Sequence, residues 1–398
     1  MKVRRTLPPA AAEVTAGALL RAAAGIVVGK RYMRRVESQL KQYFGVRYVF
    51  LTSSGKSALT LILRALKNLA NKRQVVIPAY TCFSVPAAVT RAGLDVRLCD
   101  IDPETFDFDY GCLEKTITGR TLCVVPTHLF GLPSDMTRVA RLCNRDEVFV
   151  VEDAAQAMGG RYHDELLGTI GDVGFFSLAR GKTITCGSGG VIVTNSDRIG
   201  RAIAQEYDGA GDPTIAETLR DFLCLLLMRV FVHPRVFWVP KAIPWLGLGQ
   251  TRYDVGFPIK RLSGVNAGAL HAWQDRLSRT LRARADTATY FGAALGLQAL
   301  RRASASPARL PVVMESRDAR DRIYSLSEEQ GLGLGVMYPT AINAIEELRA
   351  GFGGQKAPAA ELVAERLLTI PTHHLLSDRD KRAVCELLRQ GLEQQVAA

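Results

Sequence analysis

The stretch EVFVVEDAAQAMGG, residues 147–160, decides how the chain folds. It reads as an apolar strand that ends on two carboxylates, turns through small residues and passes into a helix-forming segment. A strand that is apolar at successive positions, rather than at every second one, is buried on both faces. The same unit recurs through the first half of the chain. VRYVFLTSS (46–54) leads into SALTLILRALKNL (57–69), QVVIP (74–78) into CFSVPAAVTRAG (82–93), and TLCVVPTH (121–128) into DMTRVARLCNR (135–145), with DVRLCDI (95–101) as a further short strand. Strand, loop and helix in repetition predict an α/β fold with a mostly parallel sheet flanked by helices. Ligands of such sheets lie beyond the carboxyl ends of the strands. The loops TSSGKS (52–57), PAYTCF (78–83), PTHLFG (126–131) and EDAAQ (152–156) are therefore expected to converge on one cleft.

Composition bounds the remaining possibilities. At 398 residues the chain exceeds what one core usually serves, so a large domain over residues 1–250 and a smaller α+β domain over 251–398 are expected. Hydrophobic residues make up 47% and charged residues 23%, which is ordinary for a soluble enzyme and argues against disorder. The excess of 51 basic over 39 acidic residues suits anionic small molecules or an acidic membrane surface. No zinc-finger spacing, basic tail or aromatic–basic repeat points to nucleic acid, and no His or Cys spacing supplies a metal site. The eight cysteines form no C-x-x-C pair and read as free thiols of a reducing compartment. The alanine-rich N-terminus momentarily resembles an export signal, but Pro8, Pro9, Glu13 and Arg21 break it. The cytoplasm is the expected location. The apolar stretch 222–248 is interrupted by Arg229, Arg235, Lys241 and prolines and is too short to span a bilayer. It is expected to be a buried or interface segment, with a peripheral membrane contact as the alternative.

Two tripeptides imitate the end of a nucleotide-binding loop: Gly55-Lys56-Ser57 and Gly181-Lys182-Thr183. Such a loop needs a glycine five residues before its Gly-Lys, so that backbone N–H groups can curl toward phosphates. Those positions hold Phe50 and Phe176. Both lysines therefore call for another explanation. Asp153 ends a strand, while Ser177 and Lys182 follow downstream and precede a glycine-rich turn. Pyridoxal phosphate needs these groups: a lysine amine for its aldehyde and an acid facing its ring nitrogen. The SSGKS loop before a helix supplies N–H donors for the phosphate. Each element is individually common, so spacing alone leaves the reading open.

These segments, in order and spacing, resemble the DegT/DnrJ/StrS family of sugar aminotransferases. The resemblance runs through residues 46–66, 75–89, 99–109, 124–136, 150–160, 171–182 and 187–195. It returns in RADTATYFGAAL (284–295), GLGLGVMYPTAI (331–342) and RLLTIPTHHLLSDRD (366–380). It implies the pyridoxal phosphate transferase architecture of fold type I. It also implies that Lys182 forms the Schiff base, Asp153 faces the pyridine nitrogen, Gln156 reaches the ring hydroxyl side, and Ser177 binds phosphate together with Ser54, Gly55, Lys56 and Ser57. His128 would line the pocket wall, and Arg180 and Tyr338 are the candidate substrate contacts. Dehydrating relatives carry His at the lysine position, so Lys182 points to transamination. The implied reaction moves an amino group from glutamate or glutamine to a nucleotide-linked keto-sugar, of the kind used for surface polysaccharides or secondary metabolites, in a homodimer. A lipid-linked ketone is the alternative acceptor, and a non-catalytic cofactor-binding scaffold is the alternative of another class.

Three positions depart from the family pattern. Lys56 stands where a Thr is usual, and Cys82 stands where an aromatic stacks on the ring, leaving Tyr80 or Phe83 as substitutes. GFPIKR (256–261) lacks the Asn that usually reaches the partner's cofactor phosphate.

Overall fold

The computed structural model describes residues 5–145, 147–247, 249, 251–296, 306–352 and 354–393. Eleven strands are present among them: β1 (Tyr48–Thr52), β2 (Gln74–Pro78), β3 (Asp95–Cys99), β4 (Thr121–Val124), β5 (Phe149–Asp153), β6 (Arg161–Tyr162), β7 (Glu165–Leu166), β8 (Val173–Ser177), β9 (Gly190–Thr194), β10 (Arg309–Val313) and β11 (Leu367–Pro371). Seven of these form the central sheet in the order β1-β9-β8-β5-β4-β2-β3. β9 pairs antiparallel with both β1 and β8, and the other neighbours are parallel, so β9 alone runs against the rest. Every residue of β4, β8 and β9 is buried, as continuous apolar strands covered on both faces should be.

Helices cover both faces of the sheet. The helix Gly55–Leu69 buries Ser57 to Leu63 without a break, and it belongs to one face together with Ser84–Arg91. The other face is covered by Ala16–Phe44, Gly264–Ala269 and the start of Trp273–Leu295. The alanine-rich N-terminus thus forms the first half of a 29-residue helix. Its Gly25 lets that helix touch backbone: a Cβ there would lie 2.2 Å from the Gly264 carbonyl oxygen. The run after the glycine-rich turn contains one strand, β9, and Asp197 already opens a helix.

The small unit packs the antiparallel pair β10–β11 against the helices Arg317–Gln330 and Asp378–Glu393. Leu7 of the N-terminal arm is buried in the same cluster, and Pro8 O accepts a hydrogen bond from His373 Nε2 at 2.8 Å. Burial in the arm's shadow lowers the His373 pKa to about 3, so this histidine is a neutral core residue. Phe257, Leu262, Val265 and Leu277 pack into the large-domain clusters. These residues lie beyond position 250, in the part expected to form the smaller domain, and they pack with the central sheet.

The apolar stretch lies on the helix Ile215–Phe231 and the turns after it. Leu225 is the buried residue of that helix, whereas Leu219, Leu223, Leu226, Leu227 and Val230 are exposed, Leu223 by 53%. No helix among the described residues is long and apolar enough to cross a membrane.

Candidate active site

The carboxyl ends of β1, β2, β4, β5 and β8 bring the four expected loops together. Asp153 closes β5, and its Oδ1 accepts the Ala155 N–H at 3.0 Å. Burial raises its pKa, opposed by that N–H and by the charge of Lys182. Lys182 follows β8 through a tight turn in which Gly181 takes a φ of 73°. The side chain keeps part of its surface open, yet the surrounding protein removes enough water to lower its pKa. Cys82 and Asp153 oppose that shift, while Arg309 and Arg284 reinforce it. An amine that loses its proton more easily is a better nucleophile and base near neutrality.

The loop after β1 forms a cradle. Ser54 caps the helix Gly55–Leu69, its Oγ accepting the Ser57 N–H at 3.1 Å, and Ala58 N–H reaches Ser54 O at 3.0 Å. The N–H groups of Gly55 and Lys56 remain directed out of the helix end. Gly55 faces Ser177 so closely that a Cβ there would sit 3.2 Å from Ser177 Cβ and 3.5 Å from its Oγ. A hydroxyl beside two helix-end N–H groups is the donor set that a phosphate calls for. The helix-end N–H groups and the Ser177 hydroxyl, with the Lys182 amine and the Asp153 carboxylate nearby, are the set of groups that pyridoxal phosphate calls for at its phosphate, aldehyde and ring nitrogen.

Not every expected contact reaches the cleft. Ser57 is fully buried, and its Oγ donates to Pro258 O at 3.0 Å, tying the helix to the GFPIKR segment. The Lys56 ammonium lies 3.4 Å from Asp254 Oδ2 and 4.5 Å over the Phe257 ring, so it clasps the same segment. His128 has both ring nitrogens engaged: Nδ1 accepts the Ser134 N–H at 3.1 Å and Nε2 donates to Glu152 Oε2 at 3.0 Å. Glu152 also accepts the N–H groups of Gly168, Ile170 and Gly171. This fully buried network lends His128 a structural role, with no ring nitrogen left for a ligand. Arg180 is exposed at the rim.

The wall opposite the cradle comes from both domains. Gln156 Nε2 donates to the Tyr338 hydroxyl at 3.1 Å, linking the β5 loop to the small unit. Tyr80 is fully buried with its ring 5.7 Å from that of Tyr338 at 57°, and its hydroxyl lies near the Tyr338 backbone without a well-formed hydrogen bond. Phe83 is buried in the core at the start of the helix Ser84–Arg91. Cys82 keeps its thiol half-buried, 3.4 Å from Ser84 Oγ and within electrostatic reach of Lys182. A thiol thus stands where the family pattern has an aromatic.

Two residues that the sequence did not single out belong here. Arg284 is buried, donating from Nη1 to Thr183 Oγ1 at 3.1 Å and from Nη2 to Lys182 O at 3.2 Å. Arg309, at the head of β10, acts electrostatically on Lys182 and Tyr338. Arg284 lies within RADTATYFGAAL, a segment already notable, and Arg309 is a charge opening an otherwise apolar strand. Among the described residues no group of three or more His, Cys, Asp or Glu could hold a metal ion.

Comparison with known proteins agrees with this geometry. The model of the DegT/DnrJ/EryC1/StrS aminotransferase family matches residues 15–389. The chain is 36% identical over 167 residues to GDP-perosamine synthase of Caulobacter vibrioides, covering 42% of this chain and 45% of that protein. It is 31% identical over 208 residues to L-glutamine:2-deoxy-scyllo-inosose aminotransferase of Micromonospora echinospora, covering 50% and 49%. The aligned parts thus span about half the length of these relatives. PseC of Helicobacter pylori, an aminotransferase involved in pseudoaminic acid biosynthesis, shares the fold with a TM-score of 0.78 at 15% identity, over 98% of this chain and 100% of that one. A match over nearly the whole chain, on an architecture whose cleft holds the expected lysine, carboxylate and phosphate cradle, decides the membership: the chain belongs to the DegT/DnrJ/EryC1/StrS aminotransferase family, whose members are pyridoxal phosphate enzymes.

Proposed function

We propose that the chain is an aminotransferase that moves an amino group from glutamate or glutamine to a keto-sugar carried on a nucleotide. The observation that carries this reading is the convergence of the Lys182 amine, the Asp153 carboxylate and the Gly55–Ser177 cradle in one cleft. Bound pyridoxal phosphate supplies an electron sink for the carbon that exchanges its amino group. Ser177 and the N–H groups of Gly55 and Lys56 would hold its phosphate, and Asp153 its ring nitrogen. A cation placed against Asp153 reverses the effect of burial and returns the carboxyl to its charged form. Lys182 would offer its amine to the cofactor's aldehyde, and the same amine, when free, would hold and move the proton at the reacting carbon. Buried Tyr80 and the Gln156–Tyr338 pair keep water from that side.

The relatives' printed names support the substrate classes: one names a GDP-linked amino sugar, the other an L-glutamine donor. The net charge of +12 suits a nucleotide-linked acceptor. A homodimer is part of the proposal, supported by the exposed apolar face of the helix Ile215–Phe231. The test is direct. Enzyme loaded with pyridoxal phosphate is mixed with glutamate or glutamine, and the pyridoxamine-loaded enzyme with nucleotide-linked and lipid-linked keto-sugars. Loss of the visible band with donor, and its return with a nucleotide-linked ketone, is expected. No response to either donor would overturn the reading, and return of the band only with lipid-linked ketones would replace the acceptor.

A further inference from the structure

The small-domain wall of the cleft carries a cation that no carboxylate among the described residues neutralises. Arg309 opens β10 opposite Pro371, and its neighbour Ala308 donates to Phe130 O at 2.7 Å, which pins the strand's start to the loop after β4. The guanidinium rests on the backbone at Gly335, where a Cβ would meet Nη1 at 3.0 Å. Its charge is felt by Tyr338, Lys182, Arg284 and His373. Among the described residues it has no ion pair with a carboxylate, and the one group acting favourably on it is the Tyr338 hydroxyl. Burial lowers its pKa to about 10, so it stays charged at neutral pH.

Arg284 stands behind it on neutral partners alone, the Thr183 hydroxyl and the Lys182 carbonyl, with Nε unpaired. Arg284 and Arg309 therefore crowd two further cations around Lys182, while the carboxylate that acts on this lysine, Asp153, is the one the cofactor ring requires. A buried cation without a counter-charge is costly, and a guanidinium fork matches a carboxylate with two parallel hydrogen bonds. The amino donor brings such an anion, since its carboxylate sits on the same carbon as the amine that must displace Lys182.

We propose that Arg309, backed by Arg284, is the carboxylate-binding subsite of this cleft and takes the carboxylate of the amino donor. The assignment rests on the aminotransferase reading above. The Arg309→Gln and Arg309→Lys holoenzymes are titrated with glutarate by calorimetry, and their half-reactions with glutamate and with keto-sugars are followed separately. Arg309→Gln is expected to weaken glutarate binding and raise the donor KM by about ten- to a hundredfold, with little change in cofactor affinity. Arg309→Lys keeps the charge without the fork and should fall between the two, which carries the test if the glutamine variant is unstable. Unchanged glutarate affinity in both variants, or no glutarate binding to wild type, overturns the subsite. A penalty confined to acceptors that carry a carboxylate overturns the donor assignment and gives the subsite to the acceptor. Wild type that binds glutarate but does not convert glutamate or glutamine would sink the functional reading and leave the subsite standing.

Discussion

Gly55 and Ser177 face each other across the end of the sheet so closely that a Cβ on Gly55 would come within 3.2 Å of Ser177 Cβ. Gly55 begins its helix without a left-handed φ, so alanine there meets no backbone strain. We expect Gly55→Ala to fold with a somewhat lower thermal midpoint, because its methyl group would press on Ser177 Cβ at 3.2 Å, and to bind pyridoxal phosphate about tenfold more weakly, close to 1.4 kcal/mol. Spectroscopic titration of the cofactor-free protein measures this. Unaltered affinity would show that the phosphate lies elsewhere.

Lys182→Ala should fold, bind cofactor without covalent attachment and lose turnover, because anchor and proton carrier are the same amine. Asp153→Asn separates stability from function. In the cofactor-free protein burial raises the Asp153 pKa. A carboxyl that holds its proton longer when folded supports folding below its unfolded pKa, and that support is lost as pH rises through the folded value. The asparagine variant lacks this loss. Cofactor-free Asp153→Asn should therefore be at least as stable as wild type at neutral pH, while transaminating far more slowly. Thermal melts across pH, with single-turnover rates, decide both halves.

The parallel sheet was legible because its strands are continuous apolar runs, and the cleft because Asp153, Ser177 and Lys182 carry distinct chemistry at strand ends. Side-chain direction was harder to read. Glu152 and Asp153 are adjacent on one strand and so point to opposite faces. Asp153 faces the cleft, while Glu152 binds His128 and three backbone N–H groups. Nothing in PTHLFG tells which carboxylate the histidine joins. Arg284 and Arg309 come from separate segments and meet through tertiary folding alone. The helix Ile215–Phe231 reads as a buried or interface segment from its composition, and Leu225 is its buried residue, since hydrophobicity does not say which neighbour covers a face.

The uncovered face yields the next expectation. Leu223 and Leu227 are one turn apart on it and both are exposed. We expect wild type to sediment as a dimer and Leu223→Glu with Leu227→Glu to shift it toward monomer, since two buried carboxylates without partners oppose association. A wild type that sediments as an active monomer at assay concentration would refute it.

Lys56 marks how far a charge beside the cradle helps without touching it. Its ammonium is held 3.4 Å from Asp254 and above the Phe257 ring. A partly exposed pair of this kind contributes about 0 to 1 kcal/mol, and a cation within the first helical turn acts on a nearby phosphate mainly through its field. Lys56→Ala is therefore expected to weaken cofactor binding by about fivefold or less, roughly 1 kcal/mol. A direct charge-assisted bond to the phosphate would contribute about 1.5 to 3 kcal/mol and cost ten- to a hundredfold. Asp254→Ala supplies the complementary arm. Without its carboxylate partner the lysine is free to turn, so tighter cofactor binding in Asp254→Ala, cancelled by adding Lys56→Ala, would show that the ammonium does reach the phosphate. Equal dissociation constants in wild type and Asp254→Ala, with a small loss in Lys56→Ala, would leave Lys56 as the clasp that holds the 254–258 segment on the helix.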